Sequence, residues 1–242
     1  MRIGELDIEI KRSKRSKTIT VNIERNGSVN AVAPYDCGED IIRKELEARE
    51  YLICKHVANR KAVNKEYINR TFVNGQSYLF MGKSYNLLIS ESAKKSLEII
   101  DDKFVLKGKY LPKAKEIFVK YYKKQGLPYL KERVAYFSKL VGREPASIKI
   151  MELGSHWASC TPQKNVNFHW KCIMASPMII DYLIIHELTH LKYPQHTRQF
   201  WDSVFSVMPN YKECEDWLHN YGVTLNLDEK SAAISHGTSL KK

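Results

Sequence analysis

The segment from Ser176 to Pro194 constrains the fold most, because the helix it predicts is apolar on every side. Ser176 suits an N-cap and Pro177 the first helical position, where a missing N–H costs nothing. Pro194 then ends the helix near Tyr193. Ile180, Ile184, Leu188 and Leu191 form one stripe, Ile179 and Leu183 lie on a second side, and Tyr182 and Ile185 fill a third. A helix of that kind must be surrounded by other elements. Yet it also carries His186-Glu187-Leu188-Thr189-His190. Burying two histidines and a carboxylate without partners costs several kcal/mol. A bound metal and a water resolve the conflict; a hydrogen-bonded histidine–carboxylate cluster that only stabilises the core is the blander solution.

The spacing favours the metal. Histidines four apart share one helix face about one turn from each other, so both imidazoles can reach a single zinc ion. Glu187 follows the first of them and can accept a proton from a water whose pKa the metal has lowered towards about 7. A catalytic zinc site needs a third protein ligand and an open position. His196 follows His190 by six residues, and the turn forced at Pro194 can bring it back to the metal. Glu213 or Glu215, with Asp216 beside them, are the competing third ligands. Tyr193 and Tyr211 are candidate hydrogen-bond donors to a developing oxyanion. For both, packing is the simpler role.

Around this helix the pattern is mixed. Leu6, Ile8 and Ile10 and then Ile19, Val21 and Ile23 alternate with polar residues, and Asn26-Gly27 marks a turn, so the first 33 residues read as a β-hairpin. One helix follows from Glu39 to about Arg60. Two further hairpins are expected, around Gly82-Lys83 and Asp101-Asp102. Pro112 and Gly126 bracket one helix, and Pro128 and Gly142 a second. Strands are expected at 147–153 and 166–170, and helices at 197–207 and 211–221. The fold class is α+β. The predicted organisation is an N-terminal β-rich subdomain with one helix over 1–110, a catalytic domain over 111–227 and a polar flexible tail over 228–242.

Charge adds a second possibility. The 242 residues hold 39 Lys+Arg against 27 Asp+Glu, a net charge of +12. That balance favours acidic partners or polyanions without naming one. Lys11-Arg12-Ser13-Lys14-Arg15-Ser16-Lys17 and the stretch Lys120–Lys124, with Tyr121 and Tyr122, can be read as phosphate and base contacts or as solvated faces. The alternative function is therefore a nucleic-acid-binding adaptor whose zinc site is structural. The five cysteines, Cys37, Cys54, Cys160, Cys172 and Cys214, form no C-x-x-C pair, so reduced thiols in a cytoplasmic setting are expected. No apolar run approaches the roughly 20 residues of a membrane helix, and no secretory signal is visible.

Four stretches resemble the YgjP-like zinc metallopeptidases, which are similar to SprT-like proteases within the zincins. They are Lys14-Arg15-Ser16-Lys17-Thr18-Ile19 with Gly27-Ser28-Val29; Trp157-Ala158-Ser159-Cys160; Asn167-Phe168-His169-Trp170; and His186 to Trp201. The resemblance implies a zincin-like catalytic domain with zinc held by His186, His190 and His196, and Glu187 as catalytic base. It also implies a protein or peptide substrate, and, by likeness to the SprT-like proteases, substrates associated with DNA. The chain departs from the family pattern at His156 and Ala158, where arginine and glycine are usual. If this strand lines the substrate cleft, His156, Trp157 and Ser159 are its candidate contacts. His156 reads more simply as a surface substitution.

Overall fold

The computed structural model describes residues 1–14, 16–23, 27–63, 70–154 and 156–227. They form two compact units, Met1–Tyr67 and Ile68–Lys242. The expected tail, 228–242, and the turn residue Asn26 lie outside the described residues.

In the first unit the strands are β1 (Arg2–Ile3), β2 (Leu6–Ser13), β3 (Thr20–Ile23) and β4 (Val29–Pro34), in the order β1-β2-β4-β3. The alternation locates the strands, and Asn26-Gly27 falls between the two that pair as a hairpin. β3 and β4 form the hairpin, with Val21 opposite Ala31, whereas β2 runs parallel to β4, with Ile8 beside Val29. Period-two patterning says which residues face the core and nothing about the neighbouring strand. The predicted single helix is two, α1 (Glu39–Glu47) and α2 (Glu50–Val63), with no glycine or proline marking the break. Ile42, Leu46, Ile53 and Val57 still reach one core with Ile3, Ile8, Val29, Ala31 and Ala33.

The second unit repeats this strand plan. β5 (Ser77–Phe80), β6 (Lys83–Ser90), β7 (Leu97–Ile100) and β8 (Lys103–Lys107) lie in the order β5-β6-β8-β7, again two hairpins joined by a parallel central pair. Met81 and Gly82 in one turn, and Asp101 and Asp102 in the other, all have φ between 46° and 76°, as two-residue hairpin turns require. These strands share their core with the helices that follow: Tyr78, Leu87, Phe104 and Leu106 pack in one cluster with Phe118, Tyr122, Phe168 and Ile184. The division therefore falls at 67/68 and not at 110/111, because the aromatic face of this sheet is buried by later elements.

Helix α3 (Ala114–Val141) runs unbroken through Gly126 and Pro128, where two helices were expected. Pro128 is exposed and frees the carbonyl of the equally exposed Lys124, so water can satisfy it. Gly126 is a packing residue: a Cβ there would lie 2.5 Å from Ile173 Cδ1 and Cγ1. Gly126→Val is expected to lower stability by about 1–3 kcal/mol through overpacking, read from the urea unfolding midpoint. Tyr122 is fully buried, stacked on Trp170 and donating to the Leu79 carbonyl, so it is not available for stacking on a base.

The remaining elements are β9 (Ser147–Met151), β10 (Ala158–Cys160), β11 (Asn165–His169), α4 (Pro177–His190), α5 (Arg198–Val207) and α6 (Tyr211–Tyr221). β11 is central, parallel to β9 and antiparallel to β10, so β10 is an edge strand. The turn Met81-Gly82 donates to the carbonyls of Ile173 and Met174, immediately before α4. At Gly82 a Cβ would lie 2.8 Å from Ser176 Cα, so only glycine permits this approach. Arg133 of α3 grips Asp181 of α4 through two hydrogen bonds of 2.8 and 2.6 Å. Among the described residues no helix is long and apolar enough to cross a membrane.

Candidate metal centre

Helix α4 is buried as its pattern demands. Ile179, Ile180, Leu183, Ile184, Ile185 and Leu188 are all core residues. His186 and His190 sit on the side of its last turn that meets the segment returning from Pro194. That segment is exposed and brings His196 in from outside the helix. His186 Nε2 lies 3.2 Å from His190 Nε2 and 3.0 Å from His196 Nε2. Among the described residues these three histidines are the one set of three or more metal-type donors drawn together. Glu213, Glu215 and Asp216 on α6 do not join them; Glu215 is instead paired with Lys212 at 2.6 Å.

Several groups fix the imidazoles. His190 Nδ1 donates to the Tyr193 carbonyl at 3.1 Å, which leaves its Nε2 lone pair facing the other two rings. The hydroxyl of Tyr182 stands 3.5 Å from His186 Nδ1. Phe200, fully buried, touches all three rings, with centroids 4.6–5.0 Å away. Trp201 stacks on His196 at 5.4 Å and 19°. The sequence pattern singles out neither Phe200 nor Trp201 as a site residue. It missed Tyr182, whose position one turn before His186 was the available signal.

Electrostatics point the same way. Burial, with His190 and His196 facing it, pushes His186 down to about 3, and burial also lowers His190. Both are therefore neutral donors at ordinary pH. Burial pushes the Glu187 carboxyl up to about 8, and its Oε2 has no hydrogen-bond partner. Converging lone pairs beside an orphaned carboxylate oxygen fit a cation with a water next to it.

Those shifts carry a pH signature for the metal-free chain. Glu187 holds its proton more tightly folded than unfolded, so its stabilising contribution is lost as pH rises from 4.5 towards 8. His186 holds its proton less tightly, so its contribution is lost as pH falls below 6.5. Between pH 6.5 and 8 only the first effect acts. In excess chelator the melting temperature is expected to fall over that interval, and Glu187→Gln to flatten the fall, as calorimetry would record.

A cleft of about 600 Å³ opens beside these groups, lined by His156, Ala158, Ser159, Cys160, Thr161, Lys164 and Pro194 together with Glu187 and the three histidines. His156 and Ser159 line this cleft, and His156 is also exposed, as a surface position would be. Trp157 does not line the cleft: its ring packs over Gly222, and its carbonyl accepts from His169 N–H. Tyr193 and Tyr211 do not line it either. Tyr193 contributes its carbonyl, and the Tyr211 ring stacks on Trp201.

A family model described as the YgjP-like metallopeptidase domain matches residues 17–221. Among solved structures, the metallopeptidase zymogen abylysin of Pyrococcus abyssi is similar at 23% sequence identity and a TM-score of 0.35. The match covers 37% of this chain and 90% of that one. No curated protein matches.

Proposed function

Because the chain belongs to the YgjP-like metallopeptidase family, we propose that it is a zinc peptidase in which His186, His190 and His196 hold the ion and Glu187 is the general base. The observation that supports this most is the approach of the three Nε2 atoms, 3.0 and 3.2 Å from His186. Two nitrogens bound to zinc at about 2.0–2.1 Å with a tetrahedral angle stand about 3.3 Å apart. Three imidazoles also match the protein donor set of a catalytic zinc site. The ion would polarise the scissile carbonyl and acidify the attacking water.

The rest of the chemistry falls to the chain. Glu187 takes the proton of the attacking water and passes it to the leaving amine. Its buried site, with Oε2 unpartnered, gives a carboxyl whose affinity for a proton suits that exchange near neutral pH. The free edge of β10 runs along the cleft, and its unpaired backbone groups can take up an extended peptide as an added strand. Phe200 and Trp201 keep the histidine rings from turning.

The test is hydrolysis of an unstructured protein by the zinc-loaded chain, stopped by a chelator and restored by zinc. Activity that survives complete metal removal would reject the reading. A nucleic-acid role rests on net charge, and the burial of Tyr122 removes one of the two rings it invoked.

A further inference from the structure

Resting on the peptidase reading, we infer that the cleft selects peptides bearing a carboxylate side chain, and that Lys164 is the residue that selects them. Besides the three histidines and Glu187, the side chains named on the cleft wall are small, hydroxylated or apolar, with two exceptions, His156 and Lys164. Among the described residues that line the cleft, Lys164 is the one fixed cation, and no carboxylate but buried Glu187 opposes it. Glu187 Oε2 has no partner, so the ammonium of Lys164 is not spent on it.

The position of Lys164 is held firmly although its side chain is exposed. Its N–H donates to the Thr161 carbonyl at 2.8 Å, and its own carbonyl accepts from Ala146 N–H at 2.8 Å. Its φ is 61°, a conformation for which glycine or asparagine is the easy choice. Lys164 lines the cleft from the turn that follows β10.

His156 precedes β10 and Lys164 follows it. A peptide laid along the edge of β10 would pair over the three residues Ala158–Cys160, roughly 10 Å. Its side chains alternate between the two sides of the strand, so every second one meets the wall that holds Lys164. A carboxylate there would gain a cation, and a lysine would meet a like charge. The chain's surplus of 39 Lys+Arg over 27 Asp+Glu acts in the same sense by repelling basic peptides at a distance.

Binding separates this inference from the peptidase reading. The zinc-loaded Glu187→Gln chain would be titrated with fluorescein-labelled peptides, otherwise uncharged, that carry Glu, Gln or Lys at alternate positions. Anisotropy is expected to show the Glu series bound about tenfold tighter than the Lys series, with added salt narrowing the gap. Adding Lys164→Gln should bring the series together, and Lys164→Glu should reverse their order. Equal affinity for all three series, or a preference unchanged in Lys164→Glu, overturns the inference. Wild-type chain that cleaves the three series equally also overturns it while upholding the peptidase reading. Charge-selective binding with no cleavage by wild type upholds the anion preference and removes the peptidase reading.

Discussion

Glu187→Gln is expected to lower turnover by about 10²–10⁴-fold, the usual contribution of a positioned general base. The amide matches the carboxylate in shape, so the buried site should stay filled. It cannot accept the water's proton. Because the three imidazoles are untouched, zinc content by elemental analysis should equal that of wild type. Full hydrolysis by this variant would remove Glu187 from the mechanism, and loss of zinc would recast it as a support for the metal. The same variant serves the metal-free melts, where removing a carboxyl pushed up to about 8 abolishes a titration and leaves the packing in place.

The second large effect is on the metal itself. His186 is the central donor, with both other Nε2 atoms 3.0–3.2 Å away. His186→Ala should leave a two-donor remnant that loses zinc on dialysis, with hydrolysis lost along with it. Chelation of wild type should lower the melting temperature, because an ion bound only to the folded chain stabilises it by mass action. At a free-zinc excess of about a thousandfold over the dissociation constant, that amounts to about 4 kcal/mol. A histidine variant that keeps a full equivalent of zinc would reject the ligand assignment. A chelator that leaves the melting temperature unmoved would reject tight binding to the folded state.

Helix α4 was legible from Ser176-Pro177 at its start; its end falls at His190, three residues before Tyr193, because Pro194 sets only the furthest point the helix could reach. Its all-round apolar pattern left burial as the only solution, and α4 is buried accordingly. The hairpins of the second unit were legible for a similar reason, since their turns fall on Gly82 and on Asp101-Asp102. What failed were properties that depend on partners distant in sequence. The parallel pairing of β2 with β4 leaves no local trace. Gly126 and Pro128 look like a break until Ile173 is seen to fill the space a side chain at 126 would take. The wall of the cleft is composed by β10, the turn after it, the end of α4 and the segment returning from Pro194, so Lys164 carried no signal of its own.

The junction at Gly82 bears on what could be moved between proteins. The last residues before α4 hang from the tip of a hairpin that lies about ninety positions upstream. The helix is thus aimed by strands that contribute none of its candidate ligands. A graft limited to the helical portion would carry the histidines but leave behind the bracket that sets their direction. The smallest transplantable piece therefore includes the whole four-stranded sheet.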